Sequence, residues 1–181
     1  MSTPLLTIGH STRTIEEFIG LLGANGVALL VDIRTITRSR RNPQFNADSL
    51  PASLGEKGIG YRHLPGLGGL RHARRDSPNI GWRNLSFRGY ADYMQTAEFA
   101  SGLAELIALA GGATVAIMCA EALPWRCHRW LVADALVVRG IAVEHIMGTG
   151  PRRPHRLTDW ARVEGERLWY PAPAEASQPA G

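Results

Sequence analysis

TVAIMCAEALPWRCHR, Thr114–Arg129, reads as a buried strand, a loop and the start of a helix. Val115-Ala116-Ile117-Met118 is a continuous apolar run that ends in Cys119. Ala120 to Arg126 is the loop. Cys127-His128-Arg129 opens an apolar-periodic segment, Trp130 to Val138. In an open α/β sheet, ligands bind outside the carboxyl ends of the strands. A helix N-terminus placed there offers free N–H groups and a positive dipole end, which suits an anion and lowers the pKa of a nearby thiol. The stretch therefore has the parts of an anion site with a nucleophilic or metal-binding sulfur. The residue types leave both roles open.

Working outward, the same alternation repeats. Leu5 to Gly9 is a short strand, followed by His10-Ser11-Thr12. Ser11 or Thr12 can cap a helix over Thr14–Asn25, where Ile15, Phe18, Ile19, Leu21 and Leu22 form an apolar face. Ala28 to Val31 is a second strand, closed by Asp32-Ile33-Arg34. Asn46–Lys57 predicts a helix and Ile59–Leu64 a third strand. Pro65–Ser86 has no periodicity, and a loop this long in a small domain is usually functional or mobile. Phe87–Thr96 and Glu98–Ala110 predict helices, and Ala142–Met147 a fifth strand. Pro151–Arg167 holds an amphipathic, arginine-rich segment. The expectation is one α/β domain over residues 1–170, in three layers. A mostly parallel sheet of about five strands carries helices on both faces. Pro171–Gly181 is Pro/Ala-rich and is expected to be a disordered C-terminal tail.

Composition narrows the partners. The 181 residues are 45% hydrophobic and 20% charged, an ordinary balance for a globular protein. No apolar run approaches the ~20 residues that span a bilayer, so no membrane partner is expected. The N-terminus lacks the basic start and apolar core of a signal peptide, which makes the cytoplasm the expected compartment. The net charge is +4, and Lys57 is the only lysine. Arginine grips phosphate and carboxylate bidentately, so an anionic small molecule or a nucleic acid suits the charge. Nothing in the composition specifies a cofactor or an oligomeric state.

A parallel sheet gathers the polar residues that follow its strands on one edge. Cys119, Glu121, His128 and His10 are the candidate catalytic groups: a thiol, a carboxylate and two side chains that titrate near neutrality. Ser11, Asp32, Arg34, Ser39, Cys127 and Arg129 are the candidate substrate contacts. Each has a plainer reading. A free cysteine is among the most buried residue types. Asp32 and Arg34 can be an ion pair that holds a strand end, Glu121 can anchor a loop, and either histidine can simply bond a neighbouring loop. Cys119…Cys127-His128 is not a standard zinc spacing and would need a further ligand such as His10.

The motifs TIGHS, Val31–Arg34 with Ser39 and Phe45, LPGLGG, YADYMQTAEF, MCAE, CHR and VEHI together resemble the bacterial and archaeal family called domain of unknown function 488. The likeness runs from about Leu6 to Met147. It implies an α/β fold and brings no activity. Ile36-Thr37 departs from it, since the family usually has a proline after the arginine. A weaker resemblance is to rhodanese and the dual-specificity phosphatases. It would make Cys119 a nucleophile and Ala120–Arg126 an anion cradle. The thiol-to-arginine spacing is one residue too long for the phosphatase loop, and Glu121 would put negative charge in the cradle.

Three functions stay open. One is an enzyme with a Cys/His/Arg cleft acting on an anionic phosphate- or sulfur-bearing substrate, a nucleotide included. Another is a nucleic-acid or nucleotide binder that uses Arg38–Arg41, Arg71–Arg75 and Arg152–Arg156 on phosphates and Trp82, Trp125 or Trp160 on bases. The last is a metal site at the cysteines and histidines.

Overall fold

The computed structural model describes residues 2–173. From residue 174 onward, the expected C-terminal tail lies outside the described residues.

The apolar runs become strands: β1 (Leu5–Gly9), β2 (Leu29–Asp32), β3 (Gly60–His63), β4 (Val115–Cys119) and β5 (Val143–Ile146). They pair in parallel in the order β3-β2-β4-β1-β5. A two-residue strand, β6 (Arg153–Pro154), adds an antiparallel edge to β5. The sheet is α/β and mostly parallel, with one strand more than expected.

Alternate side chains of β1, β2, β4 and β5 enter two separate cores. Leu6, Ile8, Leu30, Ala116 and Met118 meet Phe18, Leu21 and Leu22 of α1 (Ile15–Ala24) and Leu50 and Leu54 of α2 (Leu50–Gly55). Leu5, Val31, Val115, Ile117 and Val143 meet the opposite layer. That layer is α3 (Leu85–Tyr93), α4 (Ala97–Gly112) and α5 (Arg129–Val138). Burial on both faces is why the strands read as unbroken apolar runs. Among the described residues no helix is long and apolar enough to cross a membrane.

Two local expectations are corrected. Thr14, not Ser11 or Thr12, caps α1, its hydroxyl accepting from the Glu17 N–H at 3.1 Å. The second helix starts at Leu50 rather than Asn46, because Pro43–Phe45 makes a tight turn first and Pro51 suits the beginning of a helix. Beyond Pro151 the arginine-rich segment is not helical. Pro151 and Pro154 lack N–H groups, and Gly165 at φ +63° turns the chain between β7 (Arg162–Glu164) and β8 (Arg167–Trp169). The aperiodic Pro65–Ser86 loop is ordered by Asp92, which accepts from Arg74 N and Asn79 Nδ2, and by hydroxyl bonds from Tyr90 and Tyr93 to Leu67 and Gly66 carbonyls.

The topology also marks a site. Adjacent strands β1 and β4 send their chains to α1 and α5, on opposite faces of the sheet. In open α/β sheets, ligands bind at the carboxyl ends where neighbouring strands part in this way.

Candidate functional site

At that sheet edge β4 ends on Cys119, and the Pro124–Arg126 turn returns the chain to put Cys127 beside it. The two sulfurs are 2.6 Å apart and carry no disulfide. Both side chains are buried, Cys119 at 2% exposure and Cys127 at 7%. The loop can cross so close to β1 because residue 9 is glycine. A Cβ there would stand 1.7 Å from the Glu121 carbonyl oxygen. The next turn of β1 is held from the same side, by His10 N–H to the Cys119 carbonyl and Ser11 N–H to the Ala120 carbonyl, with Ser11 at φ +50°.

Arg129 is the centre of this group, and none of its side chain is exposed. Its Nη1 donates to Cys119 Sγ at 2.8 Å and to the Glu121 carbonyl at 2.6 Å. Nη2 donates to the Ala122 carbonyl at 3.1 Å and Nε to Thr7 Oγ1 at 3.2 Å. No carboxylate touches it among the described residues. A cation taken out of water needs a counter-charge, and the group placed to supply one is the Cys119 thiolate.

The thiol energetics agree. Burial pushes the Cys119 thiol up, but the hydrogen bond from Cys127 and the charge and N–H of Arg129 outweigh it, leaving a pKa lowered to about 7. Burial, and then the bond and negative charge of Cys119, raise Cys127 well above the ordinary thiol value. Cys127 therefore keeps its proton and donates to Cys119. Its own sulfur accepts the Arg129 backbone N–H at 3.3 Å, at the start of α5.

A second group lies at the end of β2. Asp32, fully buried, takes Arg34 Nε at 2.9 Å and Nη2 at 2.8 Å, plus Tyr61 Oη at 2.6 Å. Arg34 Nη2 also donates to the Phe45 carbonyl, and Nη1 faces His10 Nε2 at 3.4 Å. The His10 ring stacks on Phe45 and donates through Nδ1 to the Ser11 carbonyl. Its pKa is lowered, chiefly by burial and then by the Arg34 charge, against the pull of the Ser11 carbonyl.

His128 ties the two groups. Its Nε2–H donates to the Ile33 carbonyl at 2.7 Å, and Gly69 leaves room for the ring. Burial first, then Arg129 and Arg71, lower its pKa to about 4. Ser39 shapes the basic loop, its hydroxyl accepting from Arg41 and Asn42 N–H. Glu121 gives its carbonyl to the site, while its side chain is exposed. The fold thus gathers Cys119, Cys127 and Arg129 in one packed group and Asp32, Arg34 and His10 beside it. It leaves Ser39 and the Glu121 carboxylate outside.

Sequence reasoning missed most of a buried polar array behind Arg129. Thr7, His145, His155 and Asp134 run from the centre of β1 through β5 to the middle of α5. Two signals were present: Thr7 and His145 each interrupt an apolar strand, and Asp134 stands in an apolar helix interior.

The buried rings of His128 and His145 set an acid limit on the fold. Burial lowers His145 to about 3 and His128 to about 4, from 6.5 in the open chain. Between pH 6.5 and about 4 the unfolded chain binds protons that the folded chain refuses. Stability is therefore full above pH 6.5 and falls on acidification, by about 1.4 kcal/mol per pH unit for each histidine. Urea unfolding across that window should show a positive slope of stability against pH; a flat profile would mean the rings titrate normally.

Elsewhere, Trp82, Trp125, Trp130 and Trp160 line a cavity of about 350 Å³ with Arg156 and Asp159. Among the described residues no group of three or more His, Cys, Asp or Glu could hold a metal ion. The guanidinium against Cys119 opposes a cation there as well.

Comparison with known proteins gives one match. The family described as "Domain of unknown function DUF488" matches residues 14–136, from the cap of α1 into α5. No curated protein matches the chain, and no solved structure does. The matched stretch spans α1, β2 to β4, the thiol loop and Arg129, and on that match the chain belongs to the DUF488 family.

Proposed function

We propose that the chain is a thiol-dependent enzyme whose Cys119 thiolate attacks a small sulfur-bearing anion. The observation that carries the reading is the fully buried Arg129, whose guanidinium meets Cys119 Sγ at 2.8 Å and no carboxylate among the described residues. A second thiol within contact of the first favours sulfur over phosphate chemistry. A phosphate cradle needs convergent N–H groups, whereas this loop turns the Glu121 and Ala122 carbonyls inward to hold the guanidinium. Burial of both thiols suits a substrate of few atoms.

The chemistry closes with thiosulfate as the example. The Cys119 thiolate attacks the outer sulfur; a Cys119 S–S bond forms, the thiosulfate S–S bond breaks, and sulfite leaves with the electron pair. Cys127 then attacks Cys119 Sγ. Its proton passes to the departing outer sulfur, hydrosulfide leaves, and a Cys119–Cys127 disulfide remains. A dithiol reductant resets the pair by exchange. His10 and Arg34 lie beside the Cys119 strand end and would guide the anion.

The test is mass spectrometry of the reduced chain after exposure to thiosulfate. We expect one added sulfur on Cys119 in Cys127→Ser, an internal disulfide in the native chain, and neither in Cys119→Ser. An unmodified native chain, under conditions that modify free cysteine, would remove the reading.

The tryptophan-lined cavity favours a second reading, binding of single-stranded nucleic acid. Arg153 sits 5.2 Å over the Trp125 ring, and Arg156 lines the cavity. Bases stack on such rings while arginines hold phosphates. Tryptophan fluorescence with oligothymidylate should show binding at low salt that weakens steeply as salt rises. No quenching at low salt would end this reading.

A further inference from the structure

We propose that Thr7, His145, His155 and Asp134 form a positioning relay that fixes Arg129 on Cys119 and so sets the reactivity of the thiol. This rests on the thiol-enzyme reading above. The relay is a single file of hydrogen bonds. Arg129 Nε donates to Thr7 Oγ1 at 3.2 Å, and the Thr7 hydroxyl donates to His145 Nδ1 at 2.6 Å. His145 Nε2–H donates to His155 Nδ1 at 2.9 Å, and His155 Nε2–H to Asp134 Oδ1 at 2.7 Å. Asp134 closes the file, also accepting from Thr158 N–H and from the Thr158 and Tyr170 hydroxyls.

With each ring carrying one proton, the direction of the file follows from its ends. Arginine only donates and carboxylate only accepts. With those ends set, one arrangement lets Thr7, His145 and His155 each donate once and accept once. Thr7 then turns its lone pair to Arg129 Nε, while Nη1 of the same guanidinium donates to the sulfur. All of these side chains are buried, and the His145 ring is stacked on Trp130, so the members are packed against one another away from bulk solvent. The groups that face Cys119 itself are Cys127, Arg129 and the Glu121 carbonyl. The relay reaches the sulfur only through Arg129, which makes its members positioning residues.

The burial is also costly unless it serves something. Two imidazoles, a hydroxyl and a carboxylate sit where aliphatic side chains would pack as well. A buried polar network of this kind specifies one geometry. The geometry it specifies here is that of the guanidinium.

The experiment is a titration of thiolate by its ultraviolet absorbance in the native chain, Thr7→Val and Thr7→Ser. Valine keeps the shape of threonine and removes only the hydroxyl. In the native chain one thiol should titrate near its value of about 7. Thr7→Val should raise that pKa by about one unit, a roughly tenfold loss of thiolate below it, and Thr7→Ser should restore it. A native thiol near 7 that Thr7→Val leaves unmoved overturns the relay and spares the thiol-enzyme reading. A native thiol at the ordinary value overturns both. Nitrogen NMR of the native chain is the second measurement and needs no variant. The file requires the ring proton of His145 on Nε2 at neutral pH; a proton on its Nδ1 overturns the relay even if Thr7→Val does not fold.

Discussion

Replacing Arg129 with methionine should silence Cys119 while costing the fold comparatively little. In the native chain the thiol sits at about 7, so close to half of it is thiolate at neutral pH. Without the guanidinium the Cys127 bond remains, but the charge and N–H of Arg129 no longer oppose burial, so the pKa rises and the thiolate fraction at neutral pH falls, by about tenfold for each unit of rise. Alkylation of Cys119 by a small haloacetamide should slow by the same factor. The fold is cushioned because Cys119 can take up a proton once its partner is gone. No charge is then left stranded. What remains unpaired are the Glu121 and Ala122 carbonyls, at about 1–3 kcal/mol each and toward the lower end because their loop is partly exposed. Arg129→Lys keeps the charge but loses the fork, and should fall between the two.

Asp32→Ala is expected to have the opposite profile, a large loss of stability. Asp32 takes two bonds from the Arg34 side chain, one from Arg34 N–H and one from Tyr61. Arg34 cannot shed its proton as a thiol can gain one. Removing the carboxylate therefore strands a buried cation, at about 3–5 kcal/mol. In a chain of this size that lowers the melting temperature by roughly 6–20 °C. The double variant Asp32→Leu with Arg34→Leu should lose less than Asp32→Ala alone, because two apolar side chains leave no uncompensated charge. Thermal and urea unfolding of the three proteins decide it. If the double variant proves the weakest, Asp32 and Arg34 are not coupled as the geometry requires.

Much of this fold is legible in the chain because both sheet faces are covered. Leu29 to Val31 and Val115 to Met118 have no solvent side, so their strands announce themselves as short apolar runs. The position of Cys119 at a strand end and of Arg129 at a helix start follows from the same reading. Their meeting does not. It depends on Gly9 letting the loop pass and on the Glu121 and Ala122 carbonyls turning inward, and a sequence carries backbone direction in a loop only weakly. Glu121 is a catalytic candidate by type; in the fold its carbonyl meets Arg129 while its side chain is exposed. The relay was hidden for a different reason. Asp134 and His155 are 21 positions apart, and Thr7 and His145 are 138 apart. Only the sheet order brings β1 beside β5. Single polar residues inside LLTIG and VEHI were the visible trace of it.

The ultraviolet titration of the reduced native chain against Cys119→Ser tests the central claim most directly. The expected result is a thiolate appearing near pH 7 in the native chain and absent from Cys119→Ser, with Cys127 silent until far higher pH. Two thiols that both titrate at or above the ordinary value, unchanged by Arg129→Met, would contradict it.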